Sequence, residues 1–405
     1  IAPLLTLLRD GDKYLGFRNK LPPGETMNRS HADPFLPPQR LLLGPGPSPV
    51  APEVLAAMAQ PTIGHLDPSF IGLMDELKAM TQTIFNTKND ATFTVAGPGS
   101  VGMDACVLNM VEPGDKILIA RNGVFGMRMT EVASRGGAVV VPLDFEWGTA
   151  VDPSAVDAAL AKDKDIKFLA FVHAETSTGV LSDGKALGAV AAKHNVMTIM
   201  DCVTSAGGVP IEMDAWGIDV IYTGTQKCIS CPPGLSPVSF SPRAIEHVKA
   251  RKTKVLSWFL DVTQVMAYWG GEGARAYHHT APINALYGLH EALRRLLLEG
   301  LENSFKRHRA THLHLVAGLE KRGMEMLVAP SCRLPQLNTV KIPAGADDPK
   351  VRRTLLLDHG IEIGAGLGPL AGKVWRIGLM GEGARTENVD RLLGALDAIL
   401  AKEPA

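Results

Sequence analysis

Two charged residues stand where two apolar stretches end. Asp201 closes the run 196–200, and Lys227 follows the run 220–223 through Gly224-Thr225-Gln226. They lie 26 residues apart, about one strand–connection–strand unit. At the C-terminal ends of parallel strands, side chains face a common ligand crevice. A carboxylate and an amine presented there suit ionic and covalent work on a bound group. Upstream, Gly97-Pro98-Gly99-Ser100-Val101-Gly102 matches G-x-G-x-x-G between an apolar stretch and a helical one. Amide groups freed at a helix start attract anions, so this loop reads as a phosphate site. Arg376 is the fourth candidate. In the run 374–380, Trp375, Ile377 and Leu379 point to one face of a strand and Arg376 to the other. A lone arginine opposite an apolar face suits a planar, bidentate grip on a carboxylate.

Three readings of the glycine loop stay open. A dinucleotide fold expects an acidic residue about 20 positions on. The next strand instead ends in Arg121-Asn122, and Pro98 removes an N–H from the loop. A tight strand-to-helix turn needs no ligand at all. A phosphate-bearing cofactor of another kind is the third reading, and Asp201 and Lys227 favour it. Pyridoxal phosphate uses this set: a lysine that forms a Schiff base with its aldehyde, an acid for its pyridinium nitrogen, and amides for its phosphate. Taken singly, each residue has a plainer reading: Lys227 as a solvated lysine, Asp201 as a helix cap, Arg376 as an exposed strand residue.

The elements that must position these residues follow from periodicity. Asp67-Pro68 signals a helix start, and Phe70, Met74, Leu77 and Ile84 recur at helical spacing. Short apolar runs at 91–96, 116–120, 138–143, 168–173, 196–200 and 220–223 alternate with helical stretches such as 154–161 and 186–193. That alternation predicts an α/β fold with a mostly parallel sheet covered on both faces. A long helical region is expected over 280–322, a strand at 374–380, and a last helix with Val389, Leu392, Leu393, Leu396 and Leu400 on one face. The expected division is an N-terminal extension at 1–40, a large cofactor domain at 41–300 and a small C-terminal α+β domain at 301–405. Met27 lies inside the extension and could be a native start.

Several motifs together resemble a known family. Leu43-Gly44-Pro45-Gly46-Pro47-Ser48, Gly64-His65-Leu66-Asp67-Pro68, His173-Ala174-Glu175-Thr176-Ser177-Thr178-Gly179, Thr223-Gly224-Thr225-Gln226-Lys227 and Cys231-Pro232-Pro233-Gly234 look like those of the class V aminotransferases. Within that class, Tyr277-His278-His279-Thr280, Gly300-Leu301-Glu302-Asn303 and Leu367-Gly368-Pro369 are similar to the alanine–glyoxylate (serine–pyruvate) group. The resemblance covers nearly all of the chain after the extension.

It implies fold type I of the pyridoxal phosphate transferases and transamination between alanine and glyoxylate. Serine–pyruvate, serine–glyoxylate and ureidoglycine–glyoxylate exchange are alternatives on the same scaffold. A lyase or desulfurase, or a dinucleotide oxidoreductase, is a more distant one. By the same resemblance Lys227 is the catalytic residue and carries pyridoxal phosphate, while Asp201 pairs with the ring nitrogen. Phe125 stacks on the ring where many relatives have Trp, and Thr176 reaches the phenolic oxygen. Gly99, Ser100 and Gln226 hold the phosphate, although Pro98 and Ser100 depart from the usual loop. Arg376 holds the substrate carboxylate. Tyr277 and Thr280 reach the cofactor of a second subunit, which implies a homodimer with shared sites.

Composition narrows the field further. In 405 residues, 46% are apolar and 20% charged, as in a globular protein, and the formal net charge is −1. That argues against nucleic acid or a membrane surface as partner, and the family resemblance implies small amino and oxo acids instead. Five cysteines form no disulfide framework and fit a reducing compartment. No apolar run reaches the ~18 residues of a membrane span, and the opening run 1–8 makes a poor signal peptide. The expected location is the cytoplasm for a bacterial chain, with the organelle open for a eukaryotic one. No metal is expected, since Cys228-x-x-Cys231 lacks the second ligand pair that zinc needs. His312 and His314, two apart on a helix, are expected at the surface.

Overall fold

The computed structural model describes residues 35–270 and 275–401. Most of the extension assigned to 1–40, Met27 included, lies outside them. The described elements run β1 (Leu41–Leu42), α1 (Pro52–Met58), α2 (Pro68–Phe85), β2 (Ala91–Ala96), α3 (Gly99–Met110), β3 (Lys116–Arg121), α4 (Val124–Arg135), β4 (Val139–Asp144), α5 (Pro153–Lys162), β5 (Ile166–Val172), β6 (Ala174–Glu175), β7 (Val180–Leu181), α6 (Gly184–Lys193), β8 (Met197–Asp201), β9 (Val220–Tyr222) and β10 (Leu235–Phe240). There follow α7 (Pro242–Lys249), α8 (Val262–Trp269), α9 (Ile283–Glu299), α10 (Leu301–Glu320), β11 (Leu337–Lys341), α11 (Asp348–Asp358), β12 (Ile361–Glu362), β13 (Gly364–Ala365), β14 (Val374–Gly378) and α12 (Thr386–Leu400).

The main sheet has seven strands in the order β2-β10-β9-β8-β5-β3-β4. The pairs β9–β8, β8–β5, β5–β3 and β3–β4 are parallel, while β10 is antiparallel to both β2 and β9. The sheet is therefore mostly parallel. Its inner strands are buried on both faces, and only the edge strand β4 is partly open. That is why they read as apolar runs with no alternation. Each large aliphatic or aromatic side chain withdrawn this way contributes about 1.5–3 kcal/mol. On α2 the Asp67 carboxylate accepts from Ser69 N at 2.8 Å, Pro68 takes the first helical position, and Phe70, Met74, Leu77 and Ile84 face the core.

A second core gathers Leu315, Leu319, Trp375, Ile377, Leu392 and Leu396 around the sheet β11-β14-β13. Leu43 joins it, because β1 pairs in parallel with β12. The chain thus crosses into the C-terminal core before it builds the large sheet, and this places Pro45 and Gly46 at the junction of the two.

Two elements differ from the sequence reading. The helical region expected over 280–322 is two helices, separated at Gly300. The strand β10 went unread because Pro237 sits inside it. Thr223 N donates to the Pro237 carbonyl, so the nitrogen of Pro237 faces the same side, beyond the last residue of β9, where no donor is needed. None of the described helices is long and apolar enough to cross a membrane.

Candidate active site

β2, β3, β5, β8 and β9 deliver their C-terminal ends to one edge of the sheet. The glycine loop leaves β2, Asn122-Gly123 leaves β3, His173 leaves β5, Asp201 ends β8, and Lys227 follows β9. The carboxylate of Asp201 is buried. Its Oδ1 accepts from Val203 N at 2.8 Å and its Oδ2 from Tyr222 Oη at 2.7 Å. Burial pushes its pKa up to about 6 despite these bonds and the nearby positive charges of Lys227 and Arg128. A carboxylate kept this dry, with no cation bonded to it among the described residues, matches a site for a cationic N–H.

Lys227 is 8% exposed. Its backbone is fixed by Ser48 Oγ, which donates to its carbonyl at 2.6 Å, and its Nζ donates to the carbonyl of Pro45. Burial, then the charge of Arg376, lowers the Nζ pKa to about 8. About a tenth of such amines are unprotonated at pH 7, against well under a hundredth for an ordinary lysine. Gly46, at φ +102°, leaves the amine its room: a Cβ there would stand 2.5 Å from Nζ.

Arg376 is buried rather than exposed on its strand. Its Nε donates to the Ala365 carbonyl at 2.6 Å and its Nη1 to the Thr176 carbonyl at 3.1 Å. Its Nη2 has no acceptor among the described residues, so one edge of the fork stays available. Burial lowers its pKa to about 10, and the charge of Glu175 works against that shift. Trp375, Ile377 and Leu379 on the opposite face lie in the C-terminal core.

The glycine loop becomes the start of α3, with Pro98 as a cap that offers no side-chain bond. Gly99 and Ser100 occupy the first turn, where amides have no acceptor within the helix. Phe125 lies in the first turn of α4, half-buried, with the Arg128 guanidinium 4.9 Å from its ring centre. Thr176 is buried, and its hydroxyl has no partner among the described residues. Gln226 has a buried Oε1 with no partner among the described residues. Tyr277 and Thr280 stand apart. Tyr277 is 60% exposed and its hydroxyl lies 3.5 Å from that of Thr280. No bond or ring contact joins either to Lys227, Asp201 or Arg376 among the described residues.

Sequence reasoning missed three contributors. Tyr222 anchors Asp201 through Oδ2. Arg128 donates to Ser100 Oγ at 3.2 Å, tying α4 to the glycine loop. Glu175 accepts from Phe125 N at 3.1 Å. Arg128 could have been found one helical turn after Phe125, and Glu175 inside the quoted 173–179 motif. His312 corrects an expectation: it is buried, with Nδ1 2.5 Å from Asn338 Oδ1, because α10 presents that face to β11. Cys228 and Cys231 are free and buried, with burial pushing each thiol up to about 12. Neither is a thiolate nucleophile at neutral pH.

The arrangement fits pyridoxal phosphate on its own chemistry: a dry carboxylate for a ring N–H, a depressed amine for an aldehyde, and helix-start amides for a phosphate. Comparison with known proteins agrees. The model of the aminotransferase class V family matches residues 41–392. The chain is 41% identical to the alanine–glyoxylate aminotransferase of Rattus norvegicus, over 95% of this chain and 92% of that one. It is 38% identical to the (S)-ureidoglycine–glyoxylate transaminase of Bacillus subtilis, over 91% and 92%. The crystal structure of an alanine–glyoxylate aminotransferase from Nostoc sp. superposes with a TM-score of 0.89 at 45% identity, covering 93% of this chain and 99% of that one.

Proposed function

The chain belongs to the class V aminotransferases, and on that premise we propose that it moves an amino group from alanine to glyoxylate. The carrying observation is that Asp201 and Lys227 meet at one edge of the main sheet while Arg376, from β14 of the small sheet, reaches the Thr176 carbonyl there and sets its charge against Lys227: a buried carboxylate, a depressed amine and a buried guanidinium. Pyridoxal phosphate, when bound, supplies an aldehyde that takes up the amino group and a ring that accepts the electron pair left at Cα. The protein's part is to hold, orient and move protons.

Asp201, held in place by Val203 N–H and Tyr222 Oη, would set its negative charge against the ring nitrogen. Gly99, Ser100 and Gln226 would hold the phosphate, and Phe125 would supply an apolar contact for the ring. Arg376 orients the substrate through its carboxylate, with Nε and Nη1 already committed to carbonyls that fix the plane of the fork. Lys227 Nζ would accept the proton from the substrate Cα and hold it for return. Its lowered proton affinity makes it a competent base near neutral pH. Gly46 keeps the approach to Nζ clear.

The choice of alanine and glyoxylate is supported by the names of the rat and Nostoc relatives. The Bacillus relative favours ureidoglycine as a second donor. A donor screen of alanine, serine and ureidoglycine against glyoxylate ranks them. Alanine is expected to lead, and a chain that turns over only ureidoglycine overturns the substrate assignment.

A homodimer with shared sites completes the proposal. Tyr277, Leu256 and Trp258 are 60–68% exposed, and the Trp258 ring stacks on His278 at 4.4 Å. This patch suits a second copy, whose cofactor phosphate Tyr277 and Thr280 would reach. Mixing inactive Lys227→Ala and Tyr277→Phe chains should restore activity in hybrids; no recovery counts against shared sites.

A further inference from the structure

The start of α4 has no cap of its own. Gly123 precedes it without a side chain, and the first amides of a helix find no acceptor within it. The hairpin β6–β7 supplies the acceptors instead. Ser177 Oγ accepts from Val124 N at 2.9 Å, and Glu175 Oε2 accepts from Phe125 N at 3.1 Å. The other oxygen, Glu175 Oε1, accepts from Ser177 N at 3.0 Å and Ser177 Oγ at 2.6 Å. Glu175 is fully buried. Its approach depends on Gly123, since a Cβ there would stand 2.4 Å from both Glu175 Cδ and Ser177 Oγ. A carboxylate at the positive end of a helix is favourably placed. Between these two residues, the Thr176 carbonyl accepts from Arg376 Nη1.

We propose that Glu175 is a positioning residue: through the turn 175–177 it sets Phe125 and Arg376 as one unit. What those two side chains touch rests on the pyridoxal phosphate reading; the cap on α4 does not. Donors converge on both of its oxygens, which suits the ionised form and offsets part of the burial that raises its pKa to about 7. Glutamine has the same shape but one acceptor oxygen, so its NH2 group must face an N–H or O–H donor.

Three variants and one pair test this. In the cofactor-free chain at about pH 8, above the pKa of about 7 to which burial raises Glu175, Glu175→Gln should speed amide hydrogen exchange at Val124 and Phe125 by about tenfold to about a hundredfold, the loss of one bond to a buried charged acceptor. Ser177→Ala, a smaller change, should speed Val124 by about tenfold and serves alone if Glu175→Gln does not fold. In the loaded chain, Glu175→Gln should release pyridoxal phosphate about tenfold faster and raise the amino-acid KM more than it lowers kcat. In a Phe125→Ala background the same change should alter release less than about twofold, because the ring it positions is gone. Unchanged exchange at both amides overturns the cap. An undiminished tenfold effect in the Phe125→Ala background overturns the positioning role. A wild-type chain that binds no pyridoxal phosphate defeats the assigned contacts, while faster exchange at the two amides still upholds the cap.

Discussion

Asp201→Asn should make the cofactor-free chain more stable while it weakens cofactor binding. The carboxyl's pKa is raised from its usual 3.8 to about 6, mainly by burial. At neutral pH, where the group is ionised in both states, that difference corresponds to about 3 kcal/mol of lost stability. Asparagine removes the buried charge. Its Oδ1 can still accept from Val203 N, and its NH2 can donate to Tyr222 Oη, so the exchange of charged for neutral bonds costs about 1 kcal/mol. The net gain is about 1–2 kcal/mol. The sign follows from proton counts. Between pH 4 and pH 6, roughly, the folded state holds the proton and the unfolded state does not. Wild-type stability therefore falls as pH rises through that window, and the variant's does not. Urea titration of both cofactor-free chains at several pH values measures the difference. The variant's advantage should open between about pH 4 and 6 and stay level above. A variant less stable than wild type at pH 7, or an advantage with no pH dependence, refutes the electrostatic reasoning.

Three further outcomes follow from the same geometry. Gly46→Ala should cut turnover by about a hundredfold or more, since its Cβ falls on Lys227 Nζ, while strain at φ +102° costs the fold about 1–3 kcal/mol; steady-state rates and thermal unfolding separate the two. Arg376→Lys should raise the amino-acid KM by about tenfold to about a hundredfold, because a point charge cannot replace the fork, and leave cofactor affinity within about twofold; substrate titrations and cofactor release measure both. Capture of pyridoxal phosphate by the apo chain should quicken about tenfold per pH unit and level off near pH 8, where Nζ loses its proton; stopped-flow absorbance follows it, and a rise that continues to about pH 10 would mean an ordinary lysine.

The parts of the site that the sequence reveals are those whose position follows from strand ends. Asp201 ends one short apolar strand of a parallel sheet and Lys227 follows another, so the fold brings them to one edge. Gly99 and Ser100 are visible for the same reason, one strand–helix turn away. Glu175 was hidden because its burial depends on Gly123, a glycine more than fifty positions upstream whose missing side chain makes the room. Arg128 looks like any helix-surface arginine until α4 docks against the glycine loop. The strand β10 was masked by Pro237, which is tolerated only because β9 ends one residue short of it. Likewise β1 is only two residues long, and nothing local says that it pairs with β12 over three hundred positions away.

Borohydride reduction of the chain loaded with pyridoxal phosphate, followed by digestion and mass spectrometry, tests the role of Lys227 most directly. The expected result is one modified peptide with the reduced cofactor on Lys227, absent from Lys227→Ala. A stable adduct on another lysine, or none in a chain that still transaminates, contradicts it.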